Sequence, residues 1–154
     1  HWVTPVGFPV FQYYPEMKSK RVRSHLMGEV IAPQIKEETK ETDKLRSRNA
    51  VAANYVHSLD SACMIKTINI AKAKGIDNFC NVHDSFATHA CDIDKLNVSI
   101  REAFVETFSK DLLGTFKVDV GKLLDEETRG KLPTIPDSGD LELDLLYQSK
   151  FFFA

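Results

Sequence analysis

The sequence has 154 residues, a hydrophobic fraction of 43% and a formal net charge of −2 at neutral pH. This size and composition predict about one globular domain with an ordinary core. The slightly acidic balance excludes a basic surface over the whole molecule, so a role in binding nucleic acid must depend on local patches. No apolar run approaches membrane-spanning length and no signal peptide is visible, so we expect no membrane partner.

The three cysteines, Cys63, Cys80 and Cys91, are widely spaced and form no CxxC pair. This pattern disfavours a disulfide framework or a zinc site and predicts reduced thiols in a cytoplasmic protein. The chain begins at His1 in a strand-like run rather than at a methionine, and we therefore expect it to be a piece of a longer protein.

A basic segment follows two short extended runs near the start of the chain. This segment, residues 18–25, contains Lys20, Arg21 and Arg23, and Glu29–Ile35 can form the returning strand. The two arginines share a face if the segment is a strand. A basic hairpin is shaped to enter a DNA groove, where arginine is the usual reader of guanine. The alternative is a solvated, charged loop.

The next segment, residues 36–48, is almost entirely charged or hydroxylated and predicts an exposed loop or a surface helix. Apolar residues then recur at helical spacing, with Asp60 or Ser61 as the expected cap and Gly75 as the expected stop. His57 falls just before this predicted helix. A lone histidine there has either a structural or a functional role.

Two short extended runs, Asn78–Val82 and Phe86–Ala90, are joined at Asp84 and Ser85, which predicts a tight β-hairpin with Asp84 at its tip. A carboxylate held on a hairpin tip suits Mg²⁺, because Mg²⁺ tolerates little misplacement of its ligands. Ordinary turn chemistry is the alternative, since aspartate and serine are common turn residues.

The last third of the chain predicts two helices and a docked terminus. Asp92 or Asp94 begins the first helix, whose apolar stripe leaves Arg101 on the opposite face. Residues 111–124 predict the second helix. The aromatic end Phe151–Ala154 is too apolar for a free tail, so we expect it to pack on the body of the protein.

Four segments, in order, resemble the C-terminal part of single-subunit, bacteriophage/mitochondrial-type DNA-dependent RNA polymerases. They are Trp2–Pro5 with Gly7–Val10, Asn54–Ser61, Val82–Thr88 and Phe151–Ala154. The resemblance implies an α+β fold, namely a C-terminal palm/fingers portion of a right-hand polymerase with a catalytic β-hairpin flanked by helices. It further implies three regions: a β-hairpin region with a promoter-specificity loop and charged connector (1–48), a palm segment with the motif C hairpin (49–124), and a C-terminal extension ending near the active site (125–154).

The resemblance also implies an active site. Asp84 matches the motif C aspartate, one of two carboxylates that hold two Mg²⁺ ions during nucleotide transfer to the RNA 3′ end. His57 matches a histidine near the substrate sugar, where it can help to test for a 2′-hydroxyl. His83 and Ser85 match neighbours that shape the turn. The carboxylate of Ala154 matches a chain end close to the active site.

The resemblance places Lys20, Arg21 and Arg23 where the family carries its promoter-specificity hairpin. The implied partners are a DNA template and promoter, nascent RNA, ribonucleoside triphosphates and the remaining N-terminal part of the polymerase. A phage enzyme acts in the host cell cytoplasm. We favour this over a mitochondrial matrix because the mitochondrial enzymes of this family usually need partner factors, which nothing in the sequence indicates.

The family's first palm aspartate and its fingers lysine and tyrosine lie upstream of this segment, and Asp60 matches the histidine segment rather than that aspartate. We therefore expect the chain alone to be inactive. One alternative is a family A DNA polymerase, in which the His-Asp pair normally continues with glutamate, whereas Ser85 follows here. The other is a non-catalytic remnant that binds nucleic acid.

Overall fold

The computed structural model describes residues 1–152 and confirms the predicted α+β class, with two-stranded antiparallel hairpins and helices in separate stretches of the chain. The elements, in chain order, are β1 (Trp2–Val3), β2 (Pro9–Val10), β3 (Pro15–Arg21), β4 (Ser24–Leu26), β5 (Glu29–Ile31), β6 (Gln34–Thr42), α1 (Lys44–Ala73), β7 (Cys80–Val82), β8 (Ser85–Ala87), α2 (Ile93–Phe108), α3 (Leu112–Gly121) and α4 (Glu126–Gly130), with 3₁₀ turns at Ala90–Asp92 and Leu143–Tyr147. No helix within residues 1–152 combines the length and apolarity needed to cross a membrane.

The chain divides into two compact units. One unit comprises Gln12–Asn54, and the other combines His1–Phe11 with the described chain from Tyr55 onward.

The Gln12–Asn54 unit contains a long hairpin, in which β3 pairs with β6 and β4 pairs with β5. Its tip is the two-residue turn Met27-Gly28, and both residues have positive φ, 51° and 85°. This geometry matches the right-handed twist of the flanking strands.

Strand β6 corrects the expectation of a loop or surface helix for residues 36–42, whereas residues 44–48 form the largely exposed start of α1, in agreement with the predicted surface helix. Here β6 pairs with β3, where Lys18 lies opposite Glu37 and Lys20 also forms an exposed ion pair with Glu37. Lysine and glutamate have a low intrinsic preference for strands. In this segment the pairing with β3 outweighs that preference.

The start of α1 also corrects a prediction. The carboxylate of Asp43 accepts a hydrogen bond from the backbone N–H of Arg46 at 2.9 Å, which caps the helix at Lys44 rather than at Asp60 or Ser61. The helix then runs for 30 residues. Its end agrees with the prediction, because Gly75 follows with a φ of +85°, a conformation that favours glycine.

In the unit that contains Tyr55 onward, a small core forms between α1 and α2. Ala71, Ile76, Leu96 and Ile100 are buried there, and Phe79, Phe86 and Phe152 pack against them. The apolar stripe predicted for α2 is therefore the core face of that helix. Through Phe86 the same core fixes β8 to the body of this unit.

A second buried cluster lies around Trp2, whose side chain is only 3% exposed. Its indole N–H donates to the hydroxyl of Ser58 at 3.0 Å, and its ring meets Tyr55 and Phe116 edge-on at centroid distances of 5.9 and 5.6 Å. Such edge-to-face contacts add to the burial of the rings. The cluster fixes the turn of α1 that carries Ser58 and, with it, the neighbouring His57.

Arg101 of α2 is buried, whereas its position in the helical pattern predicted that it faces outward. Its guanidinium donates to the backbone carbonyl of Leu146 and, at 2.9 Å, to the side chain of Asn97. It also lies 5.3 Å from the ring of Phe152. These contacts satisfy a charge that would be costly to bury alone.

The predicted docking of the aromatic end is confirmed for one of its described residues. Phe152 packs against the core and meets Phe104 edge-on at 5.2 Å, whereas Phe151 is 83% exposed. Ala154 lies outside the described residues.

Candidate active site

The β7–β8 hairpin carries Asp84 at its tip. Val82 lies opposite Ser85, so the two-residue turn consists of His83 and Asp84, one position earlier than the predicted junction at Asp84 and Ser85. His83 takes a φ of +54°, which two-residue hairpin turns require at their first position. Ser85 begins β8. The Asp84 side chain is exposed, as the sequence predicted.

Two contacts anchor the hairpin to the rest of this unit and close its open end. Asn81 pairs opposite Phe86, which packs against the core. At the open end, the hydroxyl of Thr88 donates to the backbone carbonyl of Asn78 at 2.8 Å. Because the base is anchored, the backbone at Asp84 is presented from a supported scaffold rather than from a long loop.

A cavity of about 590 Å³ lies between this hairpin and α1. Helix α1 contributes His57, Asp60, Ser61 and Met64, and the hairpin contributes Asn81, His83 and Asp84. Three of the site residues named from the sequence, His57, His83 and Asp84, therefore line one cavity. Ser85 is not among its lining residues.

The remaining predicted site residues do not belong to this cavity. Lys20, Arg21 and Arg23 are part of the Gln12–Asn54 unit, where all three side chains are exposed. Lys20 forms an exposed ion pair with Glu37 at 3.4 Å. Ala154 lies outside the described residues.

The four α1 residues that line the cavity occupy positions i, i+3, i+4 and i+7 counted from His57, which is one face of a helix. The opposite face is buried through Ser58, Leu59, Ala62 and Cys63. His57 thus lies inside a helix and not before its start. The sequence reasoning missed Asp60 and Met64 as site residues, although their spacing from His57 indicates them once the helix is extended.

Asn81 is a further residue that the sequence reasoning missed. Its Oδ1 atom is buried and has no hydrogen-bond partner among the described residues. Buried polar atoms are almost always paired, so an unpaired acceptor at the wall of a cavity is unusual. Nothing in the sequence pattern indicates this, because it depends on how the hairpin packs.

The donors of the cavity suit the Mg²⁺ that the resemblance implies. Asp60 and Asp84 supply carboxylate oxygen atoms, which this hard cation prefers. Within residues 1–152 no group of three or more His, Cys, Asp or Glu side chains forms a complete cage for a metal ion. Mg²⁺ commonly keeps several waters and binds one or two carboxylates together with substrate phosphates, so a partial donor set fits it.

Comparison with known proteins identifies the family of the chain. The family model described as DNA-dependent RNA polymerase matches residues 1–130. The chain therefore belongs to the DNA-dependent RNA polymerase family, and the resemblance inferred from the sequence is confirmed.

Individual relatives come from phage and from plant organelles. The chain is 38% identical to DNA-directed RNA polymerase 2, chloroplastic/mitochondrial, of Arabidopsis thaliana, over 99% of this chain and 14% of the relative. It is 36% identical to T7 RNA polymerase of Escherichia phage T7, over 100% of this chain and 18% of the relative. It is also 38% identical to the chloroplastic DNA-directed RNA polymerase 3 of Nicotiana sylvestris, of which it covers 15%. The chain thus spans less than a fifth of the length of these relatives.

Proposed function

We propose that this chain forms part of a DNA-directed RNA polymerase that transfers nucleotides from ribonucleoside triphosphates to the 3′ end of a growing RNA. The observation that carries the proposal is the cavity that Asp84 and His57 both line, in a chain of this family. The family match gives no support to the alternative of a family A DNA polymerase.

In this proposal Asp84 holds Mg²⁺ at the tip of the anchored hairpin. The metal, when bound, supplies Lewis-acid activation of the attacking hydroxyl and neutralises the triphosphate. The protein's contribution is position, because phosphoryl transfer depends on alignment and charge stabilisation more than on covalent chemistry. The positive φ of His83 and the core contact of Phe86 support such a fixed position.

His57 is proposed to contact the sugar of a bound nucleotide. Its place on the cavity face of α1 supports this role, since an imidazole can donate or accept a hydrogen bond with a ribose hydroxyl. The neighbouring Ser58 accepts a hydrogen bond from Trp2, which helps to hold the turn of the helix that carries His57. A ring carried by a fixed helix discriminates better than one on a mobile loop.

The hairpin of the Gln12–Asn54 unit is proposed to read promoter DNA. Arg21 and Arg23 are exposed and make no ion pair within the described residues, which leaves both guanidinium groups available for base edges or phosphates. Lys20 is also exposed, and its pair with Glu37 is weak enough to exchange for a phosphate.

We retain the three regions 1–48, 49–124 and 125–154 as a proposal for promoter reading, palm and C-terminal extension. The expected partners are template and promoter DNA, nascent RNA, ribonucleoside triphosphates and the rest of a polymerase chain. The proposed compartment is the host cytoplasm of a phage, with an organelle as the alternative, since the relatives are named for both.

The test uses the full-length protein on a primed DNA template with Mg²⁺ and either ribo- or deoxynucleoside triphosphates. Asp84→Asn is expected to slow ribonucleotide extension about a hundredfold or more while leaving template binding intact. Asp77→Asn is the matched control, because Asp77 is an exposed aspartate near the hairpin that does not line the cavity. A preference for deoxynucleotides, or equal extension by Asp84→Asn and the control, would refute the proposal. Template binding without any extension would favour the non-catalytic alternative.

A further inference from the structure

We propose that Asn81 is a substrate-binding residue whose buried side-chain oxygen accepts a hydrogen bond from the 2′-hydroxyl of the terminal ribose of bound RNA. This inference rests on the proposed function, because it names a contact in the same cavity. It adds a residue that neither the sequence pattern nor the resemblance identified.

The register of the hairpin sets the direction of the Asn81 side chain. Asn81 lies directly opposite Phe86, and cross-strand partners project from the same face of a hairpin. Phe86 packs against the core between α1 and α2. Asn81 therefore faces the body of the protein, where it lines the cavity together with His57 and Asp60 of α1.

The chemistry of Asn81 in this place calls for a partner. Its Oδ1 atom is shielded from solvent and receives no hydrogen bond from any described residue. A buried acceptor left unpaired is destabilising, and an aliphatic side chain of similar size would avoid that cost. An acceptor kept at the wall of a cavity is thus suited to a donor that arrives with a ligand.

The chemistry of the acceptor favours one donor among those of a polymerase substrate. In the proposed reaction the 3′-hydroxyl near Asp84 gives up its proton, so it cannot remain a hydrogen-bond donor. An amide oxygen is not a base at neutral pH and only accepts from a group that keeps its proton. On the same terminal sugar, the 2′-hydroxyl keeps its proton and also distinguishes RNA from DNA.

Binding is measured with the full-length protein on template–primer duplexes, without nucleoside triphosphates, so that no bond forms. The primers end in ribose, in 2′-deoxyribose or in 2′-fluoro-2′-deoxyribose, and the fluoro sugar keeps a ribose-like pucker but lacks the donor. We expect the unaltered protein to bind the ribose end about 2- to 12-fold more tightly than either other end, which is the effect of one neutral hydrogen bond.

Asn81→Leu should remove that preference by weakening only the ribose-ended primer, and its thermal midpoint should equal or exceed that of the unaltered protein. Asn78→Leu is the matched control, because Asn78 is an exposed asparagine in the same segment that does not line the cavity, and it should keep the preference.

Equal binding of all three primers by the unaltered protein overturns the inference. This measurement does not depend on whether a variant folds. Equal weakening of every primer by Asn81→Leu also overturns it, since a structural role or a bridging water predicts that result. Ribonucleotide extension is scored in parallel. Extension that depends on Asp84, without any ribose preference in binding, refutes only the role of Asn81, whereas absent extension refutes the proposed function itself.

Discussion

Removing the hydroxyl of Ser58 leaves the indole N–H of Trp2 buried without an acceptor. Trp2 is 3% exposed and Ser58 is 9% exposed, and the bond between them is 3.0 Å long. The same hydroxyl donates to the backbone carbonyl of Tyr55 at 2.6 Å, but that carbonyl lies inside α1 and keeps its helical backbone bond, so the group that Ser58→Ala leaves unpaired is the indole N–H. We expect a loss of about 1–3 kcal/mol in the free energy of unfolding, the usual cost of leaving buried polar groups unpaired.

A double-mutant cycle separates this bond from the packing around it. Trp2→Phe removes the N–H and part of the ring, with an expected cost of about 1–3 kcal/mol because the edge contacts to Tyr55 and Phe116 lose area. In the Trp2→Phe background there is no indole N–H, so Ser58→Ala no longer leaves that donor unpaired. The two changes should therefore cost less together than the sum of the single changes, by about 1 kcal/mol.

The assay is urea unfolding of the 154-residue chain and its three variants, followed by far-UV circular dichroism, with the slope m checked for constancy. Additivity to within about 0.3 kcal/mol would refute the reasoning, because it would mean that Trp2 and Ser58 do not depend on each other.

Two further changes test the helices. Gly114→Ala places its Cβ 1.9 Å from the carboxylate that caps α3, so we expect a loss of about 1 kcal/mol in urea unfolding despite the better helix propensity of alanine. Gly121→Ala in the same helix meets no atom closer than 3.7 Å and should not destabilise the chain. Burial raises the pKa of the Cys63 thiol, so it should resist alkylation at pH 8 while the exposed Cys80 and Cys91 react. The stability that this raised pKa contributes is complete below the ordinary thiol pKa of 9.0 and is lost as pH rises through the folded-state value. Alkylation of Cys63 at the rate of the other two would contradict its burial.

Local patterns predicted the elements whose signals lie within a few residues. The hairpin around Asp84 follows from alternating strand formers on both sides of a polar pair, and its turn differs by one position. The core face of α2 follows from the helical spacing of Leu96 and Ile100. Both depend on side chains that are neighbours in the same element.

Other features depended on contacts that the sequence pattern does not show. The first part of α1 lacks a strong apolar stripe, so the sequence favoured a start near Asp60, whereas the cap is Asp43. Arg101 occupies a polar position of α2, yet the segment around Leu146 folds over it and accepts its hydrogen bond. Tertiary contacts determine where α1 starts and whether Arg101 is buried. Intrinsic helix preference and hydrophobic patterning contribute less at these positions, because residues distant in sequence supply the hydrogen-bond and packing partners.

The candidate site, like the fold, was predictable from the sequence only in part. The resemblance named His57 and Asp84, and the structure places both in one cavity. The resemblance aligns Asp60 with the histidine segment rather than with a metal-binding aspartate, but helix α1 brings it to the same cavity one turn from His57. Asn81 could not be found from the sequence, since its significance is an unpaired buried atom rather than a motif.

The most direct test of the account is the rate of ribonucleotide extension by the full-length protein carrying Asp84→Asn, measured over a series of Mg²⁺ concentrations. If Asp84 holds the metal, the rate should fall about a hundredfold or more and should not recover at the highest Mg²⁺, because the lost ligand sets where the metal lies. Asp77→Asn should follow the unaltered protein throughout the series. An Asp84→Asn rate equal to that of Asp77→Asn at every Mg²⁺ concentration would contradict the assignment of this cavity as the active site.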